Sequence, residues 1–291
     1  MNTDDFRKVK IVATIGPVTD TPEMLEALAR AGVDVFRLNL SHRTRPESER
    51  TIGLIRDLET KLKRPLTVMG DLAGPKIRIG QIAPDQEGEL EVGHRLTITP
   101  EAKIGTRERL SLNMPIVIGT LSKGDQVWLG DGNILLEVSG RKGQDVQARV
   151  VVAGKLRSRM GFSCQGLAQA RFALSAKDKS DIKDMVALGA DALAVSFVQT
   201  QADIVAVRKL LPAKDAPVVI AKIETMAGVE NAESILSVAD GLMVARGDLG
   251  FSVPMEDLPH IQKELIALCL HHAKPCITAT QMMESMTQNA I

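Results

Sequence analysis

Short apolar runs recur along this chain at a regular interval, and that rhythm limits what it can fold into. They begin near Val9 (VKIVATIG), Val35 (VFRLNLS), Leu66 (LTVMGD), Ala192 (ALAVSFV), Val218 (VVIAKIE), Gly241 (GLMVARGD) and Pro275 (PCITATQM). Each is apolar on consecutive residues, as strands of a parallel sheet covered on both faces are. Helical patterns fill the gaps. TPEMLEALARAG offers Thr21 as N-cap, Pro22 at the first helical position and Gly32 as stop. RPESERTIGLIRDLETKLKR places Ile52, Ile55, Leu58 and Leu62 at helical spacing, and further helices are predicted over 178–188, 201–211, 226–238 and 255–272. Alternating β and α implies a parallel sheet with right-handed crossovers.

Most strand starts lie about 25–35 residues apart, as βα units require. The gap between Leu66 and Ala192 is several times longer. Within it VGHRLTITP, DQVWLGDGNILLEVSG and DVQARVVVAGKL alternate in polarity, with turns read at Gly124-Asp125, Asp131-Gly132 and Gly140. The expected fold is therefore α/β: a (β/α)8 barrel of the TIM type lacking its eighth strand, with a small all-β domain inserted after strand 3. Residues 1–79 form the first part of the barrel, 80–170 the insertion and 171–291 the second part.

In such barrels the site lies at the C-terminal ends of the strands, and here those ends carry charge. The second ends Arg37-Leu38-Asn39-Leu40-Ser41-His42. The third ends Asp71-Leu72-Ala73-Gly74-Pro75-Lys76-Ile77-Arg78. The fifth, sixth and seventh end in Lys222-Ile223-Glu224, Arg246-Gly247-Asp248 and Thr278-Ala279-Thr280. Burying a charge is costly unless it is paired or holds a metal. Glu224 and Asp248, on adjacent strands, suit Mg²⁺, a hard ion that keeps waters and shares itself with phosphate. Arg37, Lys76, Arg78 and Lys222 supply cations for phosphate or carboxylate. Metal plus cations with little covalent chemistry is the equipment of phosphoryl transfer, without any P-loop. The plainer reading is a set of ion pairs closing the barrel mouth.

Other classes are disfavoured. With 36 basic and 36 acidic residues there is no global field for nucleic acid or an anionic membrane surface. Trp128, six Phe and no Tyr leave few stacking platforms for single strands. No apolar run approaches the ~18 residues of a membrane span. The polar start MNTDDFRKVK lacks a signal-type apolar region. Three cysteines, Cys164, Cys269 and Cys276, form no regular framework. The expectation is a cytoplasmic protein with reduced thiols and no nucleic-acid or membrane partner. In CLHHAKPC the ligand spacing is poor for zinc.

KIVATIGP, FRLNLSH, GPKIR, LSAKD, AKIE, DGLMVARGDLG and ATQMMESM together resemble pyruvate kinase along nearly the whole chain. The resemblance implies a glycolytic phosphotransferase that uses phosphoenolpyruvate, ADP/ATP and Mg²⁺ or Mn²⁺, and is compatible with a homo-oligomer. By the same resemblance Arg37 holds the substrate phosphate and Lys222 touches the phosphoryl group in transfer. Glu224 and Asp248 hold the metal, the Gly247 and Asp248 backbone N–H groups take the substrate carboxylate, and Thr280 lies on the proton route to the enolate carbon. Asn39, Ser41, His42 and Arg78 face the nucleotide phosphates. Asn39, Ser41, Asp71 and Leu72 occupy the monovalent-cation site.

Three departures from the family pattern stand out. Lys76 replaces the Glu that helps hold K⁺, as in the potassium-independent branch, so its ammonium is expected to replace the ion. The family's nucleotide-binding lysine aligns with Met160, with Arg159 beside it. The sequence ends at Ile291, before the family's eighth strand and regulatory domain. The alternatives are a catalytically inactive fragment acting as a binding or regulatory partner, and a Mg²⁺-dependent carbon–carbon lyase on a related barrel.

Overall fold

The computed structural model describes residues 8–75, 77–101, 103–130, 132–164, 174–280, 282 and 284–289. Three strands, β1 (Ile11–Thr14), β2 (Val33–Asn39) and β3 (Thr67–Asp71), alternate with helices α1 (Pro22–Ala31) and α2 (Arg45–Leu62). The Thr21 hydroxyl accepts from the Met24 N–H, and Gly32 ends α1 at φ +110°, where a Cβ would be strained. Thr44 and Glu47 form a reciprocal box at the start of α2.

A second, smaller sheet follows β3. It comprises β4 (Gly88–Leu90), β5 (Arg95–Thr99), β6 (Arg109–Ser111), β7 (Gln126–Leu129), β8 (Ile134–Lys142), β9 (Asp145–Val152), β10 (Gly154–Leu156) and β11 (Phe162–Cys164), with one short helix, α3 (Ile116–Thr120). Six of these strands pair in the order β11-β7-β8-β9-β5-β6, while β10 pairs with β4. Their core, including Ile98, Leu110, Val127, Leu136 and Val150, is separate from the core of the larger sheet. One expectation fails here. Gly140 is not a turn but lies within β8, at a register irregularity, and the β8–β9 turn falls at Gly143-Gln144. An in-strand glycine marks a bulge as readily as a turn.

The chain then resumes the α/β rhythm with α4 (Ala176–Ala187), β12 (Ala192–Val195), α5 (Gln201–Arg208), β13 (Val218–Ile223), α6 (Met226–Glu230), α7 (Ala232–Val238), β14 (Gly241–Ala245), α8 (Arg246–Leu249), α9 (Leu258–His271) and β15 (Cys276–Ala279). The stretch read as one helix over 226–238 is two, broken at Asn231, whose side-chain amide donates to the carbonyls of Gln199 and Ala227. Side chain–backbone bonds of this kind compete with the helical ladder.

Seven strands form one all-parallel sheet in the order β1-β2-β3-β12-β13-β14-β15, a curled part-barrel with β1 and β15 at its edges. Helix-facing residues such as Phe36, Val68, Leu193 and Val219 build the main core, whereas Met69, Ala192, Ala194, Ile220 and Met243 form a small cluster on the opposite face. This second face decides the site. Side chains two residues apart on a strand share a face, so Met69 brings Asp71 with it, Ala194 brings Ser196, and Ile220 brings Lys222 and then Glu224. Among the described residues no helix is long and apolar enough to cross a membrane.

Candidate active site

The inward residues converge at the C-terminal end of the sheet. Register pairs Arg37 with Met69 and Asn39 with Asp71, and places Lys222 opposite Met243. Asp71 is the hub and is almost fully buried. One of its oxygens accepts from Arg37 Nε at 2.6 Å and lies 2.5 Å from another Arg37 nitrogen. The other lies 3.2 Å from Lys222 Nζ. Arg37 also donates to the Thr14 hydroxyl at 2.6 Å, which ties β1 into the group. Lys222 Nζ is 3.0 Å from Glu224 Oε1 and donates to Ser196 Oγ at 2.6 Å. Ser196 in turn donates to the Leu72 carbonyl at 2.7 Å. The second Glu224 oxygen accepts from the Phe197 N–H at 2.6 Å.

Lys222, Asp71 and Glu224 thus sit almost out of water, with Arg37 partly exposed at their side, and pairing offsets the cost of burying their charge. Burial disfavours the Lys222 ammonium, but Glu224 and Asp71 outweigh it and hold its pKa above the usual lysine value. Burial pushes the Glu224 carboxyl up to about 6. The Lys222 ammonium opposes that rise, and the charge of Asp248 adds to it. Glu224 and Asp248 therefore repel each other, and both line one cavity of about 400 Å³. Two hard oxygen donors that repel each other across one cavity fit a divalent ion that takes one or two carboxylates and keeps its waters. No group of three or more His, Cys, Asp or Glu with metal-ligand geometry occurs among the described residues, CLHHAKPC included.

The same cavity is bounded by the smaller sheet. Arg78 and His42 line it from the β3 and β2 side, and Gly130, Asn133, Arg157 and Met160 line it from above. Phe251, just after α8, also lines it, and its ring lies 6.1 Å from that of Trp128 on β7. Gly247 and Thr280 adjoin one another, since a Cβ at Gly247 would stand 3.6 Å from the Thr280 side chain. Arg246 holds this corner by donating to the carbonyls of Ala279 and Thr280. Thr280 itself adopts φ +65°, an uncommon conformation for a non-glycine residue.

Asn39 Oδ1 accepts from the Ser41 N–H at 3.1 Å, and the Ser41 hydroxyl is buried without a hydrogen-bond partner. A buried hydroxyl oxygen left without a partner beside Asn39 is an available oxygen donor. Lys76, the candidate replacement for the monovalent cation, lies outside the described residues. The sequence reading passed over Ser196 and Phe197, because the fourth strand ends without charge. The available signal was the polar Ser196 at the inward position of ALAVSF.

A family model described as pyruvate kinase, barrel domain, matches residues 6–291. The chain is 38% identical over 285 residues to the pyruvate kinase of Methylorubrum extorquens, covering 98% of this chain and 59% of that protein. It is 39% identical over 286 residues to the pyruvate kinase of Thermotoga maritima, covering 98% and 61%. It is 40% identical over 289 residues to that of Geobacillus stearothermophilus, covering 97% and 49%. The chain spans about half to three-fifths of the length of these curated relatives.

Proposed function

The chain belongs to the pyruvate kinase family, and from that premise we propose that its strand-end cluster transfers the phosphoryl group of phosphoenolpyruvate to ADP. The observation that supports this most is Lys222, a buried ammonium held between Asp71 and Glu224, the second of which lines the cavity. Arg37, oriented by Asp71 and Thr14, binds the substrate phosphate. Lys222, kept charged by its two carboxylates, meets the equatorial oxygens as the bond to the enol oxygen breaks and a β-phosphate oxygen of ADP attacks phosphorus. Fixed positive charge at that point stabilises the transition state without reorganisation. The leading N–H groups of a helix have no carbonyl one turn earlier, so those of Gly247 and Asp248 are available to the substrate carboxylate. Thr280, against Gly247, stands on the route by which the enolate carbon gains its proton to give pyruvate. Glu224 and Asp248 would hold Mg²⁺ or Mn²⁺, which neutralises phosphate charge when bound. His42, Arg78, Asn39 and Ser41 lie towards the nucleotide phosphates.

The charge of Lys76 in place of an acid supports activity without K⁺, as in the potassium-independent branch. Asn39, Ser41, Asp71 and Leu72 are the residues a monovalent ion would otherwise join. The likeness to pyruvate kinases supports a cytoplasmic setting, and homo-oligomerisation is compatible with it.

The test is pyruvate formation from phosphoenolpyruvate, ADP and Mg²⁺, with and without K⁺. Lys222→Met should lower kcat by orders of magnitude, as loss of an interaction made in the transition state does; a change confined to KM would count against the role. Lys76→Glu should lower activity in potassium-free buffer and make it respond to added K⁺. A folded wild-type chain that binds phosphoenolpyruvate without turnover would instead be the non-catalytic partner.

A further inference from the structure

Two guanidinium groups line the cavity among the described residues, and they differ in how they are held. Arg78 donates to the Arg159 carbonyl at 2.9 Å. The Arg157 side chain has no hydrogen bond or ion pair with any described residue, although Glu87 feels its charge. The turn that carries it is nevertheless pinned on every side. The Arg157 N–H meets the Met160 sulfur at 3.1 Å, and the Ser158 N–H donates to Glu87 at 2.8 Å. The Arg159 N–H donates to the Gly80 carbonyl at 3.1 Å, and the Met160 carbonyl accepts from Ile79 at 3.0 Å. A fixed backbone with an unpaired cation at a cavity wall is preorganised for an anion. The neighbours cannot serve. Arg159, at φ +60°, does not line the cavity, and Met160 is uncharged and packs on Gly130.

We infer that Arg157 is the cation by which the inserted sheet grips the phosphates of the nucleoside diphosphate, opposite Arg78 and His42. The inference rests on the phosphoryl-transfer reading and adds to it a residue at a position the resemblance does not mark. Arg157 is exposed and only its backbone is engaged, so truncating it leaves the fold intact.

The experiment is calorimetric titration of MgADP, MgAMP and adenosine into the wild type, Arg157→Ala and Arg157→Lys. Binding of phosphoenolpyruvate with Mg²⁺ is measured beside it. The fluorescence of Trp128, the only tryptophan in the sequence and a neighbour of cavity-lining Phe251, gives a second readout. Loss of one charge-assisted phosphate contact should weaken MgADP binding about tenfold in Arg157→Ala. MgAMP should lose less, adenosine nothing, and Arg157→Lys should keep most of the affinity. Phosphoenolpyruvate binding should be unchanged throughout. Wild-type affinity for MgADP in Arg157→Ala, or an equal loss for adenosine, would overturn the assignment. If the wild type binds phosphoenolpyruvate but not MgADP, Arg157 loses its role and the substrate half of the site stands. If a folded wild type binds neither, the phosphoryl-transfer reading fails and Arg157 falls with it.

Discussion

The barrel mouth and the inserted sheet use the same charged residue types for opposite ends. In the inserted sheet, Arg149 and Glu137 pair across β8 and β9 at 3.3 Å, with about half of each side chain open to water (53% and 45%). They keep the outer face wet while Leu136, Val138 and Val150 fill the core beneath. At the mouth, Asp71 and Glu224 are 2% and 1% exposed and Lys222 is 10% exposed. An exposed pair gains little and can be dispensed with. A buried network is rarely the most stable filling for its space. Its presence where apolar side chains would pack more easily marks a place where stability has been exchanged for chemistry.

The comparison breaks most readily at its hub. Among the described residues, Asp71→Asn leaves Lys222 with Glu224 as its one ion-pair partner and Arg37 with none, and removing one partner of such a group costs about 3 kcal/mol. Urea unfolding should show that loss. A change below about 1 kcal/mol would mean that water reaches the network and that it behaves as a surface pair does.

Glu224 sharpens the contrast through pH. Its folded pKa is raised to about 6 from the ordinary 4.5, so between those values the folded state binds more protons than the unfolded one. Stability from this group is therefore greatest below pH 4.5, falls as pH rises through about 6, and is level above. In the metal-free protein the fall should be roughly 2 kcal/mol. Glu224→Gln should remove that component, measured as the difference between the two pH profiles. Excess Mg²⁺ should recover stability above pH 6, because it binds the ionised folded state. Below pH 6 its affinity should weaken as protons compete for the carboxylate. Parallel profiles for wild type and Glu224→Gln would show that burial does not raise this carboxyl, and an unchanged Mg²⁺ affinity in Glu224→Gln would remove it from the metal site.

The smallest effect belongs to the inserted sheet. Arg149→Ala should change stability by no more than about 0.5 kcal/mol and should leave nucleotide and phosphoenolpyruvate binding alone. A large loss would show that the two regions do not differ as argued.

Much of this was legible beforehand. The seven apolar runs and the long gap after the third gave the parallel sheet and its interruption, because burial on both faces and βα spacing are local properties of a sequence. Candidate residues were legible wherever a strand ended in charge, as at Arg37, Lys222 and Glu224. Helix breaks were less so. Asn231 ends α6 through bonds to Gln199 and Ala227, and the first of these is a distant partner that no propensity carries. Ser196 was missed because its strand ends without charge, and Arg157 because a lone arginine near a turn resembles any solvated one.

By itself, then, the sequence determined which residues could face inward, since alternation along a strand is fixed by backbone geometry. Only the tertiary structure decided which of them meet. Asp71 joins Arg37 to Lys222 because β2, β3, β12 and β13 lie side by side, although β3 and β12 are separated in the chain by the whole inserted sheet. Charge acts through distance in space and through exclusion of water, and both are set by packing rather than by order along the chain.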